Sequence, residues 1–221
     1  MKLIICNSKG WFKLDKEISS NFEVITLSKK NALNFDFISL YKPDYIFFIH
    51  WSWKVEKEIF KNFRCILFHT APLPYGRGGS PIQNLILSGF KKSPVCAIKM
   101  EEELDSGDVY SSLNISLEGS LKEIFSRLNK VINKLILKII KNNLVPKAQE
   151  GKIHKFKRLS YEDNEIPANV FLEKFYDFIR MVDDEDYLKS YIYYGDIKIE
   201  FSNAKYQEKS IICNCKITKC D

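Results

Sequence analysis

The feature that most constrains the fold is a set of short apolar runs that are continuous and do not alternate with polar residues. They cover residues 2–6, 23–27, 44–50, 64–69, 95–100 and 109–113. Strands that are buried on both faces of a sheet have this pattern, because neither face meets water. Helical patterns lie between several of the runs, and such alternation predicts a parallel sheet. The predicted fold class is therefore α/β, with a Rossmann-like, mostly parallel sheet and helices on both faces.

Two helices have marked beginnings. Ser80, Pro81 and Gln83 supply an N-cap, a proline at the first helical position and the last residue of a capping box. Ser120 and Glu123 form a second capping box. An apolar stripe follows it at helical spacing and predicts a core-facing helix: Leu121, Ile124, Leu128, Ile132, Leu135 and Ile139.

The texture of the chain changes near residue 150. A helix is predicted over 170–182, a β-hairpin over 191–201 and a further strand over 210–217. We therefore predict a Rossmann-like catalytic domain over 1–150 and a small C-terminal module of one helix and a hairpin over 151–221. Aromatic residues of this hairpin could form the contact of a homodimer.

Charge and apolar content exclude several classes of protein. The net charge is +6, but the arginines are scattered and most lysines are interleaved with acids. A protein that reads duplex DNA usually concentrates arginine on one face, so no nucleic-acid partner is expected. The longest apolar runs are too short to span a bilayer, and residues 1–6 do not resemble a signal peptide. A cytoplasmic protein without a membrane partner is predicted.

Familiar cofactor and nucleophile motifs are missing. The first strand is followed by Cys-Asn-Ser-Lys-Gly, which is not a glycine-rich dinucleotide loop, and no Walker motif occurs. Neither a G-x-S-x-G nor a C-x-x-C sequence is present. Three cysteines lie in apolar runs and three cluster near residue 215 without a nearby histidine, so no metal site is predicted.

Polar residues that could carry chemistry follow three of the predicted strands. His69 ends the fourth strand and precedes a loop rich in proline and glycine, and Asp105 follows the fifth strand in a turn closed by Gly107. In an open α/β sheet the ligand crevice lies at the carboxyl ends of the strands, so both side chains are expected there. A carboxylate beside the imidazole would fix its tautomer. His50 and Trp51 end the third strand and could wall an aromatic ligand pocket.

Two motifs around these residues resemble one enzyme family. Residues 69–83 read H-x-x-x-L-P-x-x-R-G-x-x-P-I-Q, and residues 104–108 read L-D-x-G-D. Together they resemble the formyltransferases that use 10-formyltetrahydrofolate. The tail is similar to that of the sugar N-formyltransferases, and residues 151–221 look too few for the larger C-terminal barrel of methionyl-tRNA formyltransferases. The pattern is most similar to enzymes of the pseudaminic-acid pathway type.

The resemblance implies an activity and a set of site residues. The expected reaction is formyl transfer from 10-formyltetrahydrofolate, as cosubstrate, to the amino group of a nucleotide-linked amino sugar, with a UDP-linked 4-amino-4,6-dideoxy sugar favoured. His69 and Asp105 are the implied catalytic pair, in general acid–base and oxyanion roles, and no metal is required. The implied folate-binding residues are His50, Trp51, Gly79, Met100 and Leu104. The implied sugar-nucleotide contacts are Tyr75, Arg77 and Lys54, with Arg77 facing an anion.

Two positions depart from the family pattern: Ala71 stands where the family has serine, and the more serious departure is at residue 67. The family asparagine that stands two residues before the histidine falls on Leu67, which cannot donate a hydrogen bond. The replacement donors considered are Thr70, Asn84, His50 or a backbone N–H of residues 76–79. Two alternatives therefore remain beside the sugar N-formyltransferase: a catalytically degenerate relative that binds folate or a nucleotide sugar, and a formyltetrahydrofolate hydrolase.

Overall fold

A computed structural model describes residues 1–220 and confirms the α/β fold. The strands are β1 (Lys2–Asn7), β2 (Glu23–Leu27), β3 (Tyr45–Ile49), β4 (Cys65–His69), β5 (Tyr75–Gly78), β6 (Lys92–Lys99), β7 (Val109–Ser116), β8 (His154–Phe156), β9 (Ser190–Tyr194), β10 (Ile197–Gln207) and β11 (Ser210–Lys219). The α-helices are α1 (Lys16–Asn21), α2 (Phe35–Tyr41), α3 (Lys57–Asn62), α4 (Pro81–Leu87), α5 (Leu121–Asn142) and α6 (Leu172–Arg180). Among these residues, no helix has the length and apolar character needed to cross a bilayer.

The central sheet has six strands in the order β2-β1-β3-β4-β6-β7. Strands β2, β1, β3 and β4 are parallel, which confirms the mostly parallel sheet. Every residue of β3 is buried, as are the four central residues of β1, so the continuous apolar runs are explained by burial on both faces.

Strand β6 runs antiparallel to β4, which was not predicted. Cys96 lies opposite His69, and the N–H of Met100 bonds to the carbonyl of Cys65 at the start of β4. The carboxyl end of β6 is therefore at the opposite edge of the sheet from His69. The prediction that Asp105 and His69 leave the same edge is wrong, because it assumed that β6 is parallel to its neighbour.

One predicted helix start is confirmed and the other is corrected. The N–H of Ser120 donates to Glu123 Oε2 at 2.8 Å, and the N–H of Glu123 donates to Ser120 Oγ at 3.3 Å, as a capping box requires. Ser80 instead adopts a left-handed conformation with φ of 49° and makes no side-chain cap. Its hydroxyl accepts from the N–H of Leu159, and Gln83 donates to the carbonyl of Met181, so the predicted capping box is wrong.

The described chain divides into two compact units, neither of which is continuous in sequence. The first comprises residues 1–78, 93–115 and 125–155, and the second comprises residues 79–92, 116–124 and 156 onward. The boundary predicted at residue 150 stays a prediction. The compact units place α4 with the C-terminal residues, although it precedes the boundary by some distance in the sequence.

The second unit contains α4, α6 and a three-stranded sheet in the order β11-β10-β9. Helix α6 packs on this sheet, where the rings of Phe175 and Phe201 have centroids 5.3 Å apart. Arg180 at the end of α6 is 3% exposed. It bonds to Asp177 Oδ1 at 2.7 Å and to two backbone carbonyls, so its charge is paired inside the unit.

A two-stranded ribbon of β5 and β8 was missed by the sequence prediction. The strands are only four and three residues long, and β5 reads Tyr-Gly-Arg-Gly, which lacks the apolar pattern of a strand. This ribbon matters for the site, because the backbone of β5 faces the imidazole of His69.

Candidate active site

The site begins at His69, the last residue of β4, which is 6% exposed. Its Nε2 lies 2.7 Å from the carbonyl oxygen of Gly76, and its Nδ1 lies 3.5 Å from Asp105 Oδ2. Both ring nitrogens thus face oxygen acceptors. A neutral imidazole can donate at only one of them, whereas an imidazolium donates at both.

Asp105 is also buried, at 7% exposure, and its backbone is left-handed with φ of 53°. Its Oδ2 accepts from the N–H of Gly78 at 2.9 Å while facing His69. The loop over residues 100–108 therefore returns from the far edge of the sheet to bring the carboxylate to the imidazole. The loop is tight at its end, since a Cβ on Gly107 would lie 1.8 Å from the carbonyl oxygen of Lys99. The predicted pairing of His69 with Asp105 is supported by this geometry.

Arg77 lies beside the pair but is directed into the protein. It is 7% exposed, and its Nε and Nη2 donate to Gln149 Oε1 at 3.0 and 2.9 Å. Its Nη1 is 3.9 Å from Glu103 Oε2. The hydrogen bond from Lys155, aided by the charge of Arg77, holds the pKa of Glu103 below its usual value. An anion-binding role for Arg77 stays a prediction.

Gln149 is a site residue that the sequence reasoning missed. Its Nε2 donates to the carbonyls of Asp105 and Gly107, both at 2.8 Å. It lies far from Asp105 in sequence, within a polar and irregular stretch that carries no motif. No pattern in the sequence points to it.

His50 follows β3 in a left-handed conformation with φ of 49°. Its Nδ1 accepts from the indole N–H of Trp11 at 2.9 Å, so the proton of the neutral ring is on Nε2. The Trp11 ring is itself stacked on Phe125, with centroids 5.0 Å apart. His50 is thus held by its surroundings in a defined tautomer.

Trp51 and Met100, which the resemblance assigned to folate, both pack on the same hydrophobic cluster as Leu67. The ring of Trp51 meets that of Trp53 edge to face, with centroids 4.8 Å apart. Its indole N–H is buried and has no hydrogen-bond partner among residues 1–220. A buried donor without a partner is uncommon in proteins and is a group that a bound ligand could satisfy.

The other predicted binding residues lie in different surroundings. Tyr75 begins β5 and stacks on the ring of His154, with centroids 4.6 Å apart. Leu104 is 65% exposed, and Lys54 is an exposed cation near Glu102. Gly79 belongs to the second unit, where a Cβ would meet Arg158 at 2.5 Å. Their roles stay predictions.

Among the replacement donors considered for Leu67, two have other partners. The amide nitrogen of Asn84 lies 2.9 to 3.1 Å from the carbonyls of Gly79, Ser80 and Lys157. The N–H of Gly78 donates to Asp105. Thr70, which is buried, His50 and the other backbone N–H groups of residues 76–79 stay candidates.

Two surface cavities of about 400 and 370 Å³ lie elsewhere in the first unit. They share Asn62, Phe63 and Arg64, and neither is lined by His69 or Asp105. Arg64 immediately precedes β4, so these cavities lie toward the amino end of that strand. We therefore base the candidate site on the buried His–Asp pair.

The mostly parallel sheet and the close approach of His69 to Asp105 are consistent with the formyltransferase resemblance, although the loop of Asp105 takes a different course from the expected one. Residues 154–218 match the family model described as the C-terminal domain of methionyl-tRNA formyltransferase. The solved methionyl-tRNA formyltransferase from Clostridium thermocellum is 41% identical and superposes with a TM-score of 0.93, covering 99% of both chains. The chain belongs to the formyltransferase family.

Curated relatives agree with this assignment but are longer. The methionyl-tRNA formyltransferase of Campylobacter lari is 34% identical over 170 residues, which are 74% of this chain and 55% of that protein. The chain thus spans about half the length of the curated relatives it matches.

The predicted likeness to sugar N-formyltransferases is much weaker. The formyltransferase PseJ from Anoxybacillus kamchatkensis, solved with UDP-4,6-dideoxy-4-formamido-L-AltNAc and tetrahydrofolate, is 20% identical, with a TM-score of 0.55 over 70% of this chain and 86% of that one. At that identity the likeness concerns the fold alone. The family is therefore confirmed, while the sugar subfamily is not supported at the level of sequence.

Proposed function

We propose that this protein transfers a formyl group from 10-formyltetrahydrofolate to a primary amine. The observation that carries the proposal is the buried pair of His69 and Asp105, held by the backbone of β5. Acyl transfer to nitrogen requires a group that moves a proton and stabilises developing charge near neutral pH, and a buried imidazole oriented by a carboxylate is suited to both.

The residues present are compatible with a folate cosubstrate. The indole N–H of Trp51 is buried without a partner among the described residues, and Met100 packs on the same cluster. A ligand with hydrogen-bond acceptors would satisfy that donor. When bound, the folate supplies the formyl carbon, which bonds to the acceptor amine as its bond to the folate nitrogen breaks and the amine proton passes to that nitrogen.

The chain's own groups would serve this transfer as follows. Nε2 of His69 would exchange the carbonyl of Gly76 for the substrate. As an N–H it donates to the oxygen that becomes negatively charged, and as a bare nitrogen it accepts the proton of the attacking amine. Asp105 holds the ring through Nδ1 and is itself held by the N–H of Gly78. The burial of both side chains keeps water from competing for these hydrogen bonds.

For the acceptor, we propose the amino group of methionyl-tRNA. The support is the methionyl-tRNA formyltransferase from Clostridium thermocellum, which matches over 99% of both chains. The argument that residues 151–221 are too few for such an enzyme loses its force, because a chain matched over this same length carries the name. This proposal departs from the expectation that no nucleic acid binds. The excess of basic over acidic residues lies in residues 1–155, because acidic residues outnumber basic ones in residues 156–221. Contacts with tRNA phosphates would therefore come from residues 1–155.

One experiment tests donor and acceptor together. The purified full chain is incubated with 10-formyltetrahydrofolate and either methionyl-tRNA or a panel of UDP- and dTDP-linked amino sugars, and products are weighed by mass spectrometry. Addition of one CO to methionyl-tRNA supports both proposals. Addition to a sugar alone refutes the tRNA acceptor and restores the sequence-based prediction.

The same incubation includes a reaction without acceptor and two matched variants. Asp105→Asn removes the buried carboxylate, whereas Asp108→Asn changes an exposed one close by and serves as the control. Release of formate without an acceptor indicates the hydrolase alternative. No product of any kind with folate bound indicates the degenerate relative. A cytoplasmic location and a homodimer stay predictions.

A further inference from the structure

The side-chain amide of Gln149 uses all of its hydrogen-bonding capacity at the candidate site. Its Oε1 accepts two hydrogen bonds from Arg77, at 3.0 and 2.9 Å. Its Nε2 donates two, to the carbonyl oxygens of Asp105 and Gly107, both at 2.8 Å. An amide has two acceptor lone pairs and two donor hydrogens, so this arrangement saturates it.

The segment that carries Gln149 is itself fixed by backbone pairing. The N–H of Val109 donates to the carbonyl of Lys147 at 2.7 Å, and the N–H of Lys147 donates back at 2.9 Å. Gln149 is half-buried two residues further along, while Val109 stands two residues after Gly107. The amide is therefore presented to the loop over residues 100–108 by a segment that is paired with the start of β7.

The amide joins the two elements that hold His69. One is β5, which supplies Arg77 to Gln149, the carbonyl of Gly76 to Nε2 and the N–H of Gly78 to the carboxylate. The other is the loop that carries Asp105. Without the amide, two carbonyls of that loop would each lose a donor, and the buried guanidinium would lose the hydrogen bonds of its Nε and Nη2.

We propose that Gln149 is a positioning residue for the formyl transfer: it clamps the loop of Asp105 to β5 and so sets the carboxylate against His69. This inference rests on the proposed function. It assigns Arg77 to the same clamp, in contrast to the sequence-based prediction that Arg77 binds an anion of the substrate. A shift of about 1 Å in a group that orients a catalytic side chain can cost a hundredfold in rate.

The first test is the kinetics of Gln149→Met, which keeps the length of the side chain but removes every hydrogen bond. The matched control is Gln207→Met, on an exposed residue at the end of β10 that has no place in the candidate site. We expect kcat of Gln149→Met to fall at least tenfold with the KM values for folate and acceptor within about twofold. A kcat within twofold of wild type, or a rise in KM with kcat unchanged, would overturn the proposal.

The second test separates the clamp from anion binding at Arg77. If Arg77 and Gln149 act as one unit, Arg77→Met lowers kcat, and the double variant is no worse than the worse single variant. If Arg77 binds the acceptor, Arg77→Met raises the KM for the acceptor and its effect multiplies with that of Gln149→Met. The second result refutes the clamp.

A third measurement does not depend on activity. The imidazole signals of His69 are followed by ¹H–¹⁵N NMR in the full chain, with His50 and His154 assigned by substitution. The clamp predicts that Gln149→Met moves the His69 ring signals, while Gln207→Met leaves them in place. Unchanged His69 signals in a folded Gln149→Met protein overturn the proposal. If the wild-type protein transfers no formyl group, the proposed function fails, but the NMR measurement still tests the clamp. If Gln149→Met does not fold, it is replaced in all three tests by Gln149→Asn, which keeps the amide on a shorter side chain.

Discussion

Replacing Gly107 by alanine tests how tightly the loop over residues 100–108 is built. An added Cβ would lie 1.8 Å from the carbonyl oxygen of Lys99 and 2.8 Å from its carbon. Observed Cβ atoms almost never approach another heavy atom within 3.0 Å, so the loop or the end of β6 must move by more than 1 Å. The two atoms of Lys99 belong to the backbone, so no flexible side chain can move aside to relieve the contact.

The movement should affect both stability and rate. Forcing an extra methyl group into a packed site typically costs about 1–3 kcal/mol, which for a chain of this size lowers Tm by roughly 2–12 °C. The carbonyl of Gly107 also accepts from Gln149, and Asp105 lies two residues away. A displacement of about 1 Å at the carboxylate is expected to lower kcat by about a hundredfold.

The assay compares Gly107→Ala with Gly10→Ala by thermal unfolding and by initial rates of formyl transfer. Gly10 is a matched control, since a Cβ there meets nothing within 4 Å and its backbone is not left-handed. Gly10→Ala should keep the wild-type kcat and change stability by less than about 1 kcal/mol. If Gly107→Ala had the Tm and kcat of wild type, the close contact with Lys99 would not exist in solution and the reasoning would be refuted.

Three further predictions follow from particular contacts. Asp105→Asn should lower kcat by about 10²–10⁴-fold, because the neutral amide can accept the same hydrogen bonds but lacks the negative charge that stabilises an imidazolium at His69. Initial rates measured beside those of Asp108→Asn test this, and equal rates would contradict it. Arg180→Leu should lower the free energy of unfolding by about 3–5 kcal/mol, because the substitution leaves the carboxylate of Asp177 buried without its cation. Urea unfolding measures this loss, and a loss below about 1 kcal/mol would contradict the prediction. Burial raises the pKa of the thiols of Cys6, Cys65 and Cys96, that of Cys96 to about 11, and so keeps them protonated and unreactive at pH 8. Mass spectrometry after brief alkylation should find labels only on the other cysteines, and early labelling of these three would contradict their burial.

Much of the fold could be predicted because burial leaves a direct trace in the sequence. Strands β1 and β3 are apolar at every buried position, and the helical stripe after Ser120 has the spacing of a core-facing helix. The direction of β6 could not be predicted in the same way. A strand buried on both faces has the same composition whether it runs parallel or antiparallel to its neighbour, so the pattern carries no sign of direction.

The failed capping box at Ser80 shows a different limit. The sequence has the right residues at the right spacing, but two tertiary contacts take up the groups that would form the box. The hydroxyl of Ser80 accepts from Leu159, and the amide of Gln83 reaches Met181, both far along the chain. Local patterns predict local hydrogen bonds only where no distant group competes for the same atoms.

Residues of the candidate site likewise differ in whether a local sequence pattern marks them. His69 and Asp105 were recognisable because a strand end and a glycine turn mark them, whereas Gln149 contributes through a contact across 44 residues. The acceptor stays a prediction, and for it identity over nearly the whole chain is a stronger guide than the length of the tail.

The contacts of the His69–Asp105 pair explain why the change at Leu67 leaves the pair intact. The two atoms of β5 that hold it are backbone groups, the carbonyl of Gly76 and the N–H of Gly78, so they do not depend on a neighbouring side chain. Leu67 belongs to the hydrophobic cluster that Trp51 also joins. Substituting a polar residue by leucine there enlarges the core without removing a partner of the pair. The glycines of β5 and the amide of Gln149, and not residue 67, are therefore the positions at which we expect the geometry of this site to be most sensitive.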